Sequence, residues 1–306
     1  MIISASRRTD IAAFYAKWFI HRIQAGFCEV PNPFNPSLIK QVSLLPSDVD
    51  VIVFWTRNPR PLIPYLKFLD SYGYHYLFLY TLLGYPNPLD PYSPPLSQAI
   101  RTFHQLSEIL DADRVIWRYD PIIITPHTSP QYHIAHFEII CRQLAHCTKR
   151  VIISFVDIYR KAQKRLSHLA EVGYPITPKT DLDNETLQKI IYNLVQIAET
   201  YEMQLFHCAD QNFYPQFGGN AGKCIDAQLF CDLFGIQFPH IKDPSQRENC
   251  GCTISCDIGM YDTCLFGCPY CYANKNFETS RKNYLHHDPT YPSLVKPYQS
   301  ASCSQE

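Results

Sequence analysis

The stretch "VDVIVFWT" (residues 49–56) is a nearly uninterrupted apolar run that ends in a threonine, and Arg57 and Asn58 follow it directly. Strands that are buried on both faces of a parallel sheet read as continuous apolar runs rather than as alternating apolar and polar residues. The stretch therefore predicts a central strand of a parallel sheet, with Trp55 in the core. Five further runs share this character and occupy residues 1–6, 75–83, 114–120, 150–157 and 203–209.

Helical patterns separate these runs, with apolar residues three and four positions apart. They cover residues 10–26, 59–71, 96–111, 131–147 and 184–201. Strands that alternate with helices indicate an α/β fold, which can be a doubly wound open sheet or a TIM-like barrel. We favour a partial TIM-like (β/α)6 barrel over residues 1–210, because polar residues follow most of the predicted strands and would converge at one mouth.

The regular alternation of apolar runs and helical patterns ends after residue 210. Residues 211–286 are rich in cysteine and include one short helical pattern, "CIDAQLFCDLFG" (224–235). We expect this cysteine-rich region to fold back on the barrel mouth. The proline- and serine-rich residues 287–306 are expected to form a loosely ordered tail.

The polar residues at the strand ends are the first candidate site. They are Arg7, Arg8 and Asp10 after the first strand, Arg57 after the second, Arg118 and Asp120 at the fourth, Asp157 at the fifth, and His207 and Asp210 at the sixth. In parallel α/β folds the carboxyl ends of the strands build the functional site. We therefore expect a polar pocket there, although helix caps and loop salt bridges would account for the same residues.

Composition excludes several classes of function. The chain has 306 residues and a net charge of −1, so a general affinity for nucleic acids is not expected. No apolar run has the 18–20 residues, roughly, that span a bilayer, and the first residues do not resemble a signal peptide. With 11 glycines and no glycine-rich loop after a strand, a P-loop or Rossmann nucleotide site is disfavoured. These features predict a cytoplasmic protein without a membrane partner.

The cysteines are concentrated late in the chain. There are 13, and nine of them lie between residues 208 and 271. In a reducing cytoplasm such a concentration indicates metal binding rather than disulfides. In "CLFGCPYC" (264–271), Cys264, Cys268 and Cys271 offer three thiolates, which suit an iron–sulfur cluster or zinc. Three ligands on a [4Fe–4S] cluster leave one iron free to bind S-adenosylmethionine (SAM).

A second group of cysteines lies outside this trio and consists of Cys208, Cys224, Cys250 and Cys252. Four thiolates can hold an auxiliary [4Fe–4S] cluster or a structural zinc ion. The alternative is that these are inert core cysteines, which are common. Cys256 is a spare ligand for this set, whereas Cys303 in the tail is not expected to bind metal.

Two family resemblances follow from these motifs. "CLFGCPYC" resembles the cluster loop of radical SAM enzymes, and "CPYCY" is similar to the spore photoproduct lyase version of that loop. Over nearly the whole chain, "IISASRRTDI" (2–11), "NPFNP" (32–36), "VIVFWTRNP" (51–59) and the ending "CDIGMYDTCLFGCPYCYAN" (256–274) resemble a bacterial family named domain of unknown function 1848. This family is radical-SAM-like, with its cluster loop at the C-terminal end.

The resemblance implies roles for individual residues. Tyr270 takes the position of the aromatic residue that helps to hold the adenine of SAM. Arg7, Arg8 and Asp10 occupy the place after the first strand where the cluster loop usually lies, which makes them candidate catalytic residues. Arg57 or Arg118 is a candidate partner for the SAM carboxylate, and Asp120 or Asp157 for the ribose.

The expected function is therefore radical SAM-type chemistry on a small-molecule or peptide substrate, with an electron donor such as flavodoxin or ferredoxin. Two alternatives stay open from the residues alone. One is an iron–sulfur protein that transfers electrons or senses redox state without cleaving SAM. The other is a zinc-stabilised hydrolase or binding protein. DNA repair, which the lyase-like loop suggests, is disfavoured by the neutral charge.

Overall fold

All six apolar runs form strands in the computed structural model, which describes residues 1–208 and 217–296. Two further short strands join them in one sheet, and a separate antiparallel hairpin follows the second helix. The strands are β1 (Ile2–Ala5), β2 (Phe27–Pro31), β3 (Ile39–Ser43), β4 (Val51–Thr56), β5 (Tyr76–Thr81), β6 (Val115–Ile122), β7 (Arg150–Phe155), β8 (Gln204–Cys208), β9 (Asn220–Gly222) and β10 (Cys256–Asp257).

The main sheet has eight strands in the order β10-β1-β4-β5-β6-β7-β8-β9, and every pairing in it is parallel. The α/β class is confirmed. The partial TIM-like barrel is not confirmed, because the sheet is not closed: β9 and β10 form its two edges. These edge strands have only three and two residues, too few to carry the sheet round to closure.

Helices connect the strands as the periodicity predicts, with α6 and α9 as additions that the sequence pattern missed. They are α1 (Ile11–Phe14), α2 (Ala16–Ala25), α3 (Leu66–Ser71), α4 (Leu96–Leu110), α5 (Pro130–Leu144), α6 (Gln163–Glu171), α7 (Asn184–Thr200), α8 (Ala227–Phe234) and α9 (Phe277–Leu285). Side-chain caps explain where several begin: Ser129 accepts a hydrogen bond from Tyr132 N, and Asp183 accepts one from Thr186 N.

The sheet is buried on both faces, which is why its strands are apolar throughout. Ile52 and Phe54 of β4 pack in the larger core with the connecting helices. Val51 and Val53, which point the opposite way, pack in a second core that contains Phe230 of α8. Residues 224–252 thus contribute to a layer on the second face of the sheet, whereas residues such as Ile258 and Phe266 pack in the larger core.

The C-terminal part of the chain returns to the first strand. β10 pairs with β1 through Ile3 and Cys256 and through Ser4 and Asp257. Gly259 permits this approach, because an added Cβ would lie 2.0 Å from Ser6 Oγ. Part of the segment expected to be a loosely ordered tail also returns: Trp18 Nε1 of α2 donates to Tyr291 O over 2.9 Å.

No helix in the described parts of the chain is both long and apolar enough to cross a bilayer. Asp210 and Cys303, which were named from the sequence, lie outside the described residues.

Candidate functional site

A cavity of about 1140 Å³ opens at the carboxyl ends of the strands. Fifteen of the residues singled out as candidate ligands, cofactor contacts or catalytic groups line it. They are Arg7, Arg8, Asp10, Arg57, Arg118, Asp120, Asp157, Cys208, Cys224, Cys250, Cys252, Cys264, Cys268, Tyr270 and Cys271. The C-terminal cysteines and the strand-end residues therefore face one space, although up to about 260 residues separate them in the chain.

One wall of the cavity is fixed by Asp257. Its carboxylate accepts hydrogen bonds from Ser4 Oγ, Ser6 Oγ and Arg7 N at 2.7–2.9 Å. Arg8 Nε donates to the same carboxylate over 3.0 Å. Burial alone would raise the pKa of Asp257, but Arg8 and these hydrogen bonds lower it below its usual value. Arg8 is thus bound in an ion pair that holds β10 against the first strand end.

Asp10 has structural partners on all sides. It caps α1 by accepting from Ala13 N over 2.9 Å, and it accepts from Thr56 Oγ1 and Arg57 N at 3.0 and 2.7 Å. Burial raises the pKa of Asp10 to about 7 against the effect of these bonds. These contacts make Asp10 a link between the ends of β1 and β4.

Arg57 is committed to a network with Asp90 and Tyr270. Its Nη1 donates to Asp90 Oδ2 over 2.6 Å, and its Nη2 donates to Tyr270 Oη over 2.8 Å. Tyr270 Oη in turn donates to Asp90 Oδ1 over 3.0 Å. The three groups are buried, so the network fixes the orientation of the Tyr270 ring in the cavity wall.

The cysteine loop, residues 264–274, is held from outside by Arg165 of α6. The guanidinium donates to Pro269 O, Cys271 O and Lys275 O at 3.0, 2.5 and 2.9 Å. Within the loop, Ala273 N donates to Cys271 Sγ over 3.3 Å. Arg165, which the sequence analysis did not identify, thus helps to position the loop together with Arg57 and Asp90.

The three thiols of the loop lie within electrostatic range of one another. Burial, followed by the neighbouring thiols, raises the pKa of Cys264 well above its usual value. Burial also raises the pKa of Cys268 to about 12, and Arg57 opposes this effect. Cationic partners such as a metal would favour the thiolates that burial disfavours.

Arg118 and Asp120 form an ion pair beside Trp55. Arg118 Nη2 donates to Asp120, whose other oxygen accepts from Ser154. The Trp55 ring lies 4.7 Å from the Arg118 guanidinium and 5.3 Å from that of Arg7. The position of Trp55 inside an apolar strand predicted a core residue, but Trp55 lines the cavity. Asp157 is half-exposed and pairs with Arg247.

The second cysteine set, Cys208, Cys224, Cys250 and Cys252, is brought together beneath the cavity. Cys208 Sγ lies 3.1 Å from Cys224 Sγ, and Cys252 lies within electrostatic range of Cys224 and Cys250. Cys208 and Cys252 raise the pKa of Cys224, Cys252 raises the pKa of Cys250, and Cys224 and Cys250 lower the pKa of Cys252.

Two carboxylates of the site escaped the sequence analysis. Asp90 lies in the proline-rich "NPLDPYSPP", where an aspartate is as typical of a solvated loop as of a buried site. Asp257 had a signal, since it lies in the "CDIG" segment that carries the family resemblance. His207, singled out for its place beside Cys208, is bound to Gly218 O over 2.7 Å.

Comparison with known proteins identifies the family. The family described as "Domain of unknown function (DUF1848)" matches residues 2–273, so the chain belongs to it and the resemblance seen in the sequence is confirmed. No curated protein matches the chain. Among solved structures it is similar to dihydropyrimidinase from Brevibacillus agri NCHU1002, with 11% identity and a TM-score of 0.29. That alignment covers 77% of this chain and 48% of the dihydropyrimidinase, so the chain spans about half of that enzyme, and the likeness carries no argument.

Proposed function

We propose that this member of the DUF1848 family is a radical SAM-type enzyme in which Cys264, Cys268 and Cys271 hold a [4Fe–4S] cluster. The observation that carries the proposal is that the C-terminal cysteine loop lines the same cavity as the polar strand ends.

The residues present fit such a cluster in three respects. The donor set consists of three neighbouring thiols on one loop, and thiolates are the ligands of iron–sulfur clusters. Ala273 N already donates to Cys271 Sγ, as hydrogen bonds to cluster sulfurs do. The cavity of about 1140 Å³ is larger than the roughly 300–1000 Å³ of a typical small-molecule site. It therefore has room for a cluster and a ligand.

When bound, the reduced cluster would supply the electron that cleaves SAM and yields a 5′-deoxyadenosyl radical. The chain's own residues would bind and orient the ligand. Tyr270, held by Arg57 and Asp90, would present a fixed ring to the adenine. Arg118 is the better candidate for the SAM carboxylate, because its Nε has no hydrogen-bond partner whereas Arg57 is engaged by Asp90 and Tyr270.

The other parts of the proposal follow from this site. Asp120 and Asp157 line the cavity and remain candidates for the ribose hydroxyls. The substrate would be a small molecule or a peptide end that fits the remaining space. A flavodoxin or ferredoxin would supply the electron in a reducing compartment such as the cytoplasm.

The test is anaerobic reconstitution with iron and sulfide, followed by reduction with dithionite and an assay for 5′-deoxyadenosine. The wild type should release 5′-deoxyadenosine from SAM. The triple variant Cys264→Ala/Cys268→Ala/Cys271→Ala should release none. A control variant, Cys147→Ser/Cys231→Ser, removes two cysteines that do not line the cavity and should behave as wild type.

The same preparation separates the alternatives. A fully loaded, reduced cluster without 5′-deoxyadenosine would select the electron-transfer or redox-sensing protein and reject the enzyme. Zinc without iron or sulfide at the trio would select the zinc-stabilised hydrolase or binding protein.

A further inference from the structure

The second cysteine set comes from three separate parts of the chain. Cys208 ends β8, Cys224 follows β9, and Cys250 and Cys252 lie in the loop before β10. Their residues are 9%, 3%, 6% and 2% exposed, respectively. Four thiols from distant segments thus share one buried volume.

Cys208 Sγ lies 3.1 Å from Cys224 Sγ, and Cys252 lies within electrostatic range of Cys224 and Cys250. Backbone bonds hold the segments that carry them. Thr253 N donates to Ile225 O over 2.9 Å, and Ile225 N donates to Cys252 Sγ over 3.4 Å. A backbone N–H aimed at a cysteine sulfur is the type of outer contact that supports metal-bound thiolates.

A buried cation lies next to these sulfurs. Arg7 interacts electrostatically with Cys252 and Cys224, and its Nη2 is buried without a hydrogen-bond partner. Its bond to Asp243 is long, at 3.5 Å. Asp243 and Asp257 also act electrostatically on this guanidinium, and a dianionic four-thiolate centre would in addition accept its free N–H.

We infer that Cys208, Cys224, Cys250 and Cys252 form a second metal centre, sized for one tetrahedral ion of the zinc class and separate from the cluster loop. Binding would replace four S–H protons by four metal–sulfur bonds, so that one divalent ion and four thiols give a dianionic centre and four released protons. No change of oxidation state is involved.

The fit requires a small rearrangement. Among the described residues, no group of three or more potential ligands is already arranged around a position for a metal ion. Cys208 Sγ and Cys224 Sγ are 3.1 Å apart, whereas a tetrahedral ion with metal–sulfur bonds of about 2.3 Å separates its sulfurs by about 3.8 Å. Rotation about the side-chain bonds can provide this difference. An iron–sulfur cubane, whose cysteines bind different irons, would need the sulfurs to move much farther apart.

The test uses the triple variant Cys264→Ala/Cys268→Ala/Cys271→Ala, so that any metal found belongs to the second set. We expect one zinc ion per chain and no sulfide after purification with Zn²⁺ and removal of loose metal by a mild chelator. Substitution with Co²⁺ should give the intense near-ultraviolet sulfur-to-metal bands of a tetrahedral thiolate site, and X-ray absorption should find four sulfur neighbours at about 2.3 Å.

Adding Cys224→Ser/Cys252→Ser to the triple variant should abolish binding, whereas adding Cys147→Ser/Cys231→Ser should leave it intact. If the variant with Cys224→Ser/Cys252→Ser does not fold, the spectra of the triple variant still show whether the second set binds a tetrahedral metal ion. Absence of metal, or four irons with sulfide, would overturn the inference. Neither outcome bears on 5′-deoxyadenosine release by the wild type, so this inference and the proposed function fail separately.

Discussion

Ser6 Oγ donates a 2.7 Å hydrogen bond to Asp257 Oδ1, across 251 residues of the chain. The bond joins the end of the first strand to the segment that leads into the cysteine loop. Because Arg8 and two backbone N–H groups bind the same carboxylate, Asp257 is the main connection between the two halves of the cavity wall.

Asp257→Ala should therefore be strongly destabilising. It leaves Arg8 without its buried partner, and breaking such a pair costs about 3–5 kcal/mol. Urea unfolding should show this loss, and hydrogen exchange should show faster exchange at residues 256–259. Asp232→Ala on the exposed face of α8 is the control and should change stability little. An unchanged unfolding midpoint in Asp257→Ala would reject the assigned role.

Arg165→Ala should loosen the cysteine loop without unfolding the sheet. Three carbonyl oxygens, those of Pro269, Cys271 and Lys275, lose their common donor. We expect faster hydrogen exchange over residues 268–275 and a several-fold lower iron content after reconstitution. Lys164→Ala, on the neighbouring exposed position of α6, should match wild type in both measurements. Equal iron content in the two variants would show that the loop holds itself.

Asp90→Asn should destabilise the cavity wall by about 3 kcal/mol, because it leaves the buried Arg57 guanidinium uncompensated. Tyr270→Phe removes only one hydrogen bond of the same network and should cost about 1 kcal/mol. Guanidinium chloride unfolding of both variants, with the exposed Asp181→Asn as a control, measures the difference. Similar losses for Asp90→Asn and Asp181→Asn would contradict the network.

His133 should make stability depend on pH. Burial lowers the pKa of this histidine to about 4, and the ring hydrogen bonds with Tyr119 Oη and Ile123 O. The folded state keeps the ring neutral while the unfolded chain takes up a proton below about pH 6.5. The neutral His133 ring therefore contributes fully to the free energy of unfolding above that pH. About 3 kcal/mol of this contribution is lost as the pH falls toward 4.

His133→Gln should flatten this part of the profile. The variant will be less stable than wild type at pH 7, because it loses the packing of the ring. The difference in unfolding free energy between the two proteins should become smaller toward pH 4. Unfolding free energies at several pH values provide the comparison. A gap that stays constant from pH 7 to 4 would mean that His133 does not titrate in this range.

The sequence predicted the long strands and the location of the site, for identifiable physical reasons. A strand such as β4 is buried on both faces, so its apolar run is visible without any tertiary information. Polar residues such as Arg57 and Arg118 directly follow or end these strands, so their convergence could be expected. Closure of the sheet could not be predicted, since it depends on which strands take the edges.

Elements defined by side-chain contacts were missed. β10 has two residues and no periodicity, and Asp257 rather than an apolar pattern fixes its place beside β1. Arg165 lies on α6, which has few buried residues and therefore a weak helical pattern. Asp90 has no distinguishing neighbour in the sequence, because its partner Arg57 is 33 residues away.

The pairing of β1 with β10 also imposes an order on biosynthesis. The first strand leaves the ribosome early, but its outer edge stays unpaired until residue 257 has been made, and an unpaired edge is a template for wrong pairing. The three thiols at residues 264–271 emerge later still. If the loop binds a cluster, as we propose, the metal reaches it only after all strands of the sheet have been synthesised, and any delivery factor would recognise a chain in which these strands are complete.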